Sequence, residues 1–416
     1  MKNHKNTNLH VVREDEDPAD QLVENLIKEL NEEDGVEDPL LNGKERRKKR
    51  RRRAAIRLGI LLVVVVGIYL LITLQTYTKV RISDTFAIGE ASSSNYVEFE
   101  SGFLKYSRDG ISYLNQKGEE QWNQSYQIKK PTVVVGNSAA LVYDQGGNTI
   151  EVITKDDVKG EIETNMPIEH AAVSSQGIVG AILKNSESAM VMCYDAKGNV
   201  LVEHKSSISG TGYPINVALS NDGNTMEVLY LYTQDGKITS KILYYNFGTA
   251  GEEKTDHIVS EKEYDDTIMS SAFFLDETTS VAVGDNLLAI YSGTENPKES
   301  TTIKIDGEIK NIFHSDKYIG LIVKNKNASE YELQLYNTSG KKVLSKSVAD
   351  TYDKVKISGG QVILYDGKKC SIYKTNGIHR FEGSMDRDIL EILPVAGVNR
   401  YVVMTADGLD LVRLVK

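Results

Sequence analysis

The sequence predicts an all-β protein, a β-propeller of eight blades with seven as the alternative, preceded by a disordered polar tail and one transmembrane helix. Three observations carry this. From Tyr96 onward the apolar runs are five to eight residues long, rich in Val, Ile and Tyr, and closed by Asp-Gly, Asn-Gly or Lys-Gly. A short phrase ending in Gly returns along the same region. Ahead of it, eight consecutive basic residues, Arg46, Arg47, Lys48, Lys49, Arg50, Arg51, Arg52 and Arg53, abut an uncharged, mostly apolar stretch at 58–78.

Taken in chain order, residues 1–53 are charged and poor in aromatics, the composition of a segment that buries too little to fold. Within it, 18–30 reads as a short amphipathic helix: Asp17 caps it, Pro18 opens it, and Leu22, Val23, Leu26, Ile27 and Leu30 share one face. Its polar face is acidic and repelled by anionic lipid, so its expected partner is a cytoplasmic protein that accepts an apolar helix face.

Residues 54–78 form the expected signal-anchor helix. The stretch 58–78 holds about 21 residues, which at about 1.5 Å per residue matches a hydrocarbon layer of roughly 30 Å. The basic run is topogenic: Lys and Arg stay on the cytoplasmic side, which places the N-terminus inside and residues after Tyr77 outside, in the cell membrane as a single-pass protein. Arg57 sits in the first turn, where its stem can snorkel to the headgroups. The exit sequence at 74–79 has no small-x-small cleavage pattern, so the anchor is expected to stay uncleaved.

The outer part, 79–416, is a repeat. The phrase Tyr113-Leu114-Asn115-Gln116-Lys117-Gly118 returns as Cys193-Tyr194-Asp195-Ala196-Lys197-Gly198, Leu335-Tyr336-Asn337-Thr338-Ser339-Gly340 and Ile372-Tyr373-Lys374-Thr375-Asn376-Gly377. Looser versions end at Gly160, Gly248 and Gly293. Successive glycines are about 37 to 50 residues apart, the period of one four-stranded blade. Each unit opens with a stiff inner strand, as at 132–135, 171–173, 216–219 and 272–275, and continues with a second, as at 140–143, 180–183 and 320–323. An eighth unit at 389–416 has room for only three strands. The strand at 80–88, just after the helix, is expected to complete it and so close the ring.

The segment 110–122, strand, Gly turn and then Trp122, resembles the blade phrase of pyrroloquinoline-quinone-type repeats. The whole layout is similar to an uncharacterised family of bacterial single-pass membrane proteins with WD-like or quinoprotein-like propeller ectodomains, and the resemblance covers 80–416. It implies fold and address, and no activity. Cofactor-binding quinoprotein propellers use several Trp; Trp122 is the sole Trp here, and no cofactor is expected.

Composition narrows the partners. The 416 residues carry 49 Lys and Arg against 59 Asp and Glu, a net charge of −10. The first 53 residues balance at 13 basic and 13 acidic, so the deficit belongs to the remainder. An acidic outer domain excludes nucleic acid and anionic lipid surfaces as its partners and leaves proteins or envelope polymers. Cys193 and Cys370, the only cysteines, fall in the third and seventh units and read as two buried apolar residues.

Chemistry is sparse. His170, His204, His257, His314 and His379 occur singly, without metal-ligand spacing, and read as surface or strand residues. Asp109, Asp222, Asp235, Asp306, Asp366 and Asp407 each precede Gly, and read as type I′ hairpin turns rather than calcium ligands. No catalytic or metal residue is assigned. The connection at 248–266, with Glu252, Glu253, Lys254, Asp256, Glu261, Lys262 and Glu263, is the longest and the expected lid or partner contact. The expected function is a membrane-anchored extracytoplasmic binding or scaffold module, not an enzyme. The alternative is a hydrolase or oxidoreductase with a site at the channel mouth, which requires several carboxylates or histidines converging there.

Overall fold

The computed structural model describes residues 43–89, 93–185, 189–206, 212–234, 236–325, 330–348 and 352–416; of residues 43–50, 69–73 and 234 it describes the backbone. The docking face expected at Leu22, Val23, Leu26, Ile27 and Leu30 lies outside the described residues. The chain divides into two compact units at Gln75/Thr76.

In the first unit, helix α1 spans Gly43–Leu74 without a break and holds the whole basic run. It stops four residues short of the expected end, because Thr76 and Tyr77 already belong to the second unit. There the Tyr77 N–H donates to the Arg380 carbonyl at 2.9 Å, the Arg380 guanidinium lies over the Tyr77 ring, and the Thr76 hydroxyl donates to the His379 carbonyl at 2.8 Å. Among the described residues no helix is long and apolar enough to cross a membrane. The apolar run with described side chains ends at Ile68, since 69–73 are described as backbone only. Leu58, Ile60, Leu62, Val63, Val65 and Val66 are exposed and Leu61 and Val64 half-buried, and at 100° per residue these eight together surround the helix rather than marking one face.

The second unit is all-β: 32 strands in eight four-stranded antiparallel sheets. In chain order, blades 1 to 7 occupy 95–125, 131–163, 168–206, 213–265, 269–304, 308–348 and 354–384. Blade 8 takes its three inner strands from Glu391–Pro394, Arg400–Thr405 and Gly408–Val415, and its outermost from Lys79–Phe86 near the other end of the chain. That strand pairs from Lys79↔Val415 to Phe86↔Leu409. Eight blades, not seven, are present, closed as the spare strand at 80–88 predicts.

The recurring phrase is a turn with a mechanism. Asn115 Oδ1 accepts from the N–H of Lys117 and Glu119 at 2.9 and 3.1 Å. Asp195 Oδ1 does the same for Lys197 and Asn199, both 2.9 Å, and Asn337 Oδ1 for Ser339 and Lys341 at 3.2 and 2.9 Å. The glycine then takes φ +76, +84 and +77 at Gly118, Gly198 and Gly340, a conformation a side chain would strain. Just ahead of the turn the third and fourth strands slip register by one residue, at Tyr113/Leu114, Cys193/Tyr194 and Leu335/Tyr336, which adds the twist an outer strand needs.

Two expectations are corrected. Gly160 is no turn residue. It lies inside strand Val158–Glu163, where a Cβ would collide with the Ala196 carbonyl oxygen of blade 3, so its absent side chain serves blade packing. Among the described Asp-Gly pairs none is a type I′ turn, which needs φ above zero at both central residues; Asp235 lies outside the described residues. Among the described ones only the glycines at 223, 236, 307, 367 and 408 have positive φ, and Gly110 opens a strand.

The core is divided among seams. Each of eight apolar clusters draws on two adjacent blades and none is confined to one, because both faces of a radial sheet must be covered. Cys193 and Cys370 are buried free thiols in blades 3 and 7.

Candidate functional site

Three places gather polar side chains or project from the ring. The first is the inner wall where the two ends of the chain meet. Lys356, on the inner strand Lys354–Ser358 of blade 7, reaches Glu391 on the inner strand of blade 8 at 2.5 Å and Glu98 on that of blade 1 at 2.6 Å. The Ser358 hydroxyl donates to Glu98 at 2.6 Å, and the Tyr365 hydroxyl to Glu391 at 3.0 Å. Burial alone would pull the Lys356 ammonium down, but the Glu391 and Glu98 charges outweigh it and hold its pKa above the ordinary lysine range. A lysine so held keeps its proton and has no lone pair for nucleophilic attack. The cluster acts as a clamp, tying blade 7 to blade 1 across the blade built from both ends of the chain.

The second place is on blade 7. Strand pairing sets Ser371 opposite Glu382, with His379 beside them. Ser371 Oγ lies 3.2 Å from His379 Nε2, Glu382 Oε2 lies 3.0 Å from that same nitrogen, and Ser371 donates to Glu382 at 2.7 Å. A serine–histidine–acid relay needs serine and acid on opposite ring nitrogens. Here both address Nε2, Ser371 is fully buried, and the ring stacks on Tyr373 at 4.3 Å. The arrangement is a strand-edge hydrogen-bond knot.

The third place projects. In blade 4 the strands Thr225–Gln234 and Lys237–Asn246 have ten residues each, against five to eight for the second and third strands elsewhere. The inner strand of the blade ends at Tyr213↔Leu231, so the hairpin overshoots it by three residues, roughly 10 Å. Its tip carries half-buried Tyr232 and Ile238, 43% exposed, and Ile268 beside it is 39% exposed. Lys241 lies over the Tyr232 ring and pairs with Glu263 at 2.8 Å, and Lys237 pairs with Asp266 at 3.3 Å. Burial, followed by Glu263, Asp265 and Glu261, raises the Tyr232 hydroxyl pKa, a mark of an acidic rim.

This hairpin was not singled out from the sequence. The expected lid at 248–266 ends in strand: Ile258–Asp265 is the outer strand of blade 4, carrying Glu261, Lys262 and Glu263. What leaves the sheet is a single-turn helix at Thr249–Glu252 and a 3₁₀ turn at Thr255–His257. Length was the misleading signal, since a polar strand at a sheet edge reads like a loop. The available clue was the spacing of the turn pairs Asp222-Gly223 and Asp235-Gly236, which leaves room for a strand of ten residues.

The histidines are strand and turn residues. His314 stacks on Phe273 at 4.0 Å across the seam of blades 5 and 6, and His204 packs on Tyr245 across that of blades 3 and 4. Among the described residues no group of three His, Cys, Asp or Glu could hold a metal ion. In the basic run, Arg51, Arg52 and Arg53 are exposed on α1.

A family model, DUF5711, described as a family of unknown function, matches residues 73–414. The chain belongs to the DUF5711 family. Comparison with curated proteins finds no match. Among solved structures this DUF5711 protein is similar to Sqt1 from Chaetomium thermophilum, at 12% identity and a TM-score of 0.51 over 81% of this chain and 100% of that one, a likeness of fold. BamB from Moraxella catarrhalis matches at 12% identity and 0.47, over 81% and 100% of the two chains. AztD from Citrobacter koseri, in its apo form, matches at 10% and 0.48, over 71% and 87%.

Proposed function

We propose that this DUF5711 protein is a membrane-anchored extracytoplasmic propeller, bacterial in origin, that acts as a non-catalytic binding or scaffold module for a protein or cell-envelope partner. The observation that carries the binding role is the overshooting hairpin of blade 4, which sets an apolar tip inside an acidic rim on an otherwise closed ring. Rigid rings suit recognition because projecting elements hold their positions without ordering cost. At the inner wall the Lys356 ammonium is held between two carboxylates and keeps its proton, and the serine–histidine–acid group of blade 7 lacks relay geometry, which supports binding over catalysis.

Anchoring rests on α1. A helix apolar on all sides finds no water-compatible orientation and is covered by lipid or protein. Eight consecutive basic residues likewise ring the helix, so it cannot lie flat with one charged face, and a crossing helix with its charges in the cytoplasmic headgroups satisfies both halves. The helix face at 22–30 would then serve a cytoplasmic partner.

The test is cross-linking and recovery of partners with the full chain in detergent, comparing wild type with Ile238→Asp combined with Tyr232→Ala. The variant is expected to keep the wild-type melting curve and lose its partner. Equal recovery by both sinks the assignment of the hairpin. Protease added to intact cells should remove the ring; protection of residues 79–416 until lysis sinks the anchoring.

A further inference from the structure

The seam between blades 4 and 5 holds a carboxyl group that no function above uses. Glu227, on strand Thr225–Gln234, is fully buried, and among the described residues neither carboxyl oxygen meets a hydrogen-bond donor in bonding geometry. An ionised carboxylate left so would cost several kcal/mol. The nearest polar groups are the Tyr244 and Ser280 hydroxyls, 2.8 Å apart, whose mutual bond uses one of their two hydrogens. They favour the charged form slightly against the larger effect of burial.

We propose that this seam is a proton-operated joint, closed while Glu227 carries its proton and loosened when the carboxyl ionises. The surroundings fit a group kept neutral. Tyr244 comes from strand Lys237–Asn246, Tyr264 from strand Ile258–Asp265, Tyr291 from strand Leu287–Ser292, and Glu299 from strand Lys298–Lys304. These are the titratable groups facing it, and all are neutral or acidic. The flanking strands Tyr213–Leu219, Met269–Phe274 and Thr279–Gly284 bring Ala218, Met269 and Ser280. No cation among the described residues stands in the position that Lys356 holds at the inner wall.

The outer edge of the seam carries its own hydrogen bonds. The Tyr264 and Tyr291 hydroxyls lie 2.6 Å apart, and Tyr264 donates to Glu299, which is 29% exposed and 4.0 Å from Lys262. The ring of Tyr291 lies 5.1 Å from that of Tyr244. Tyr291, Tyr264 and Glu299 thus form a hydrogen-bonded row that leads from beside the Tyr244 ring to the outer rim of the seam.

The direction of the response follows from the two environments. In an opened seam Glu227 meets water and titrates near the ordinary value of 4.5, whereas closed burial pushes it up to about 8. Between those limits the open form has released its proton and the closed form has kept it. Opening therefore becomes easier as pH rises through this window and levels off above it; acid tightens the joint.

Amide hydrogen exchange on the full-length chain reads this directly, followed on peptides covering 225–234 and 287–292 at pH 5 and pH 8 and corrected for intrinsic rate. Wild type is expected to open about tenfold more readily for each pH unit, while Glu227→Gln shows no such dependence. A pH response shared by both proteins, or a variant that weakens the seam equally at both pH values, overturns the proposal. Should Glu227→Gln fail to fold, the infrared difference spectrum of wild type between these pH values decides. Loss of a protonated buried-carboxyl C=O band, still seen in a Glu151→Gln background, supports the joint, and the absence of such a loss overturns it.

Discussion

Glu391 and Glu227 are both buried in the same ring, at 4% and 0% exposure, and they meet opposite fates. Glu391 is anchored by Lys356, by the Tyr365 hydroxyl and by the N–H of Ile392 at 2.9 Å, so its charge is matched and its seam is tied. Glu227 has none of these and is held neutral by burial. The difference teaches where the propeller invests electrostatics. The ion cluster stands at blades 7, 8 and 1, where no covalent link joins the first and last strands and the ring is open to fraying. The uncharged solution stands at blades 4 and 5, in the middle of the continuous chain, where a seam can loosen without unwinding the ring.

Removing the ammonium should break the comparison hardest. Lys356→Ala strands two carboxylates in the inner wall and is expected to cost about 3–5 kcal/mol, seen as a lower denaturation midpoint and early exchange in strand Lys79–Phe86. A loss confined to a few tenths would mean that the clamp contributes nothing to closure. Next, Glu227→Gln should raise the melting temperature at pH 8 and leave it nearly unchanged at pH 5. The gain grows by about 1.4 kcal/mol per pH unit between the ordinary glutamate value and about 8. The same substitution at Glu391 should destabilise at neutral pH, and similar behaviour of the two variants would erase the distinction.

Smaller changes sharpen it. Ser358→Ala removes one hydrogen bond to the charged Glu98 and should cost about 1.5–3 kcal/mol by denaturant titration, reduced to about 1 kcal/mol in a Glu98→Gln background, whose neutral amide oxygen still accepts. Trp122→Phe removes one neutral hydrogen bond from a different seam, whose own buried carboxyl is Glu151. The indole N–H donates across the seam of blades 1 and 2 to the Lys155 carbonyl at 2.8 Å, and its loss should cost about 1 kcal/mol, independent of pH.

Much of the ring was legible in sequence. The turn phrase encodes its own geometry, since an Asn or Asp followed three residues later by Gly supplies both the hydrogen bonds and the positive φ, and its spacing counts the blades. The missing strand of the last unit and the spare strand after the helix were also local facts, and their pairing is what the structure shows. Gly160 misled because its reason is a neighbour's carbonyl, not its own turn. The 248–266 segment misled because an exposed edge strand needs charges, and those charges look like a loop. The Ser371, His379 and Glu382 grouping and the Lys356 clamp went unseen for one reason: each depends on which residues a register or a ring closure sets side by side.

By itself the sequence determined the architecture: an apolar helix behind a basic run, then eight short-stranded units closed by the first strand, because hydrophobic period, turn chemistry and repeat length act over a few residues at a time. Only the tertiary structure decided which charges are matched. Lys356 and Glu98 are 258 positions apart and meet because the ring closes, and Glu227 has no such partner because the seam it faces is lined with tyrosines. Electrostatics inside a protein is set by what folding brings within a few ångströms and by the water it removes, and neither is written in the order of residues.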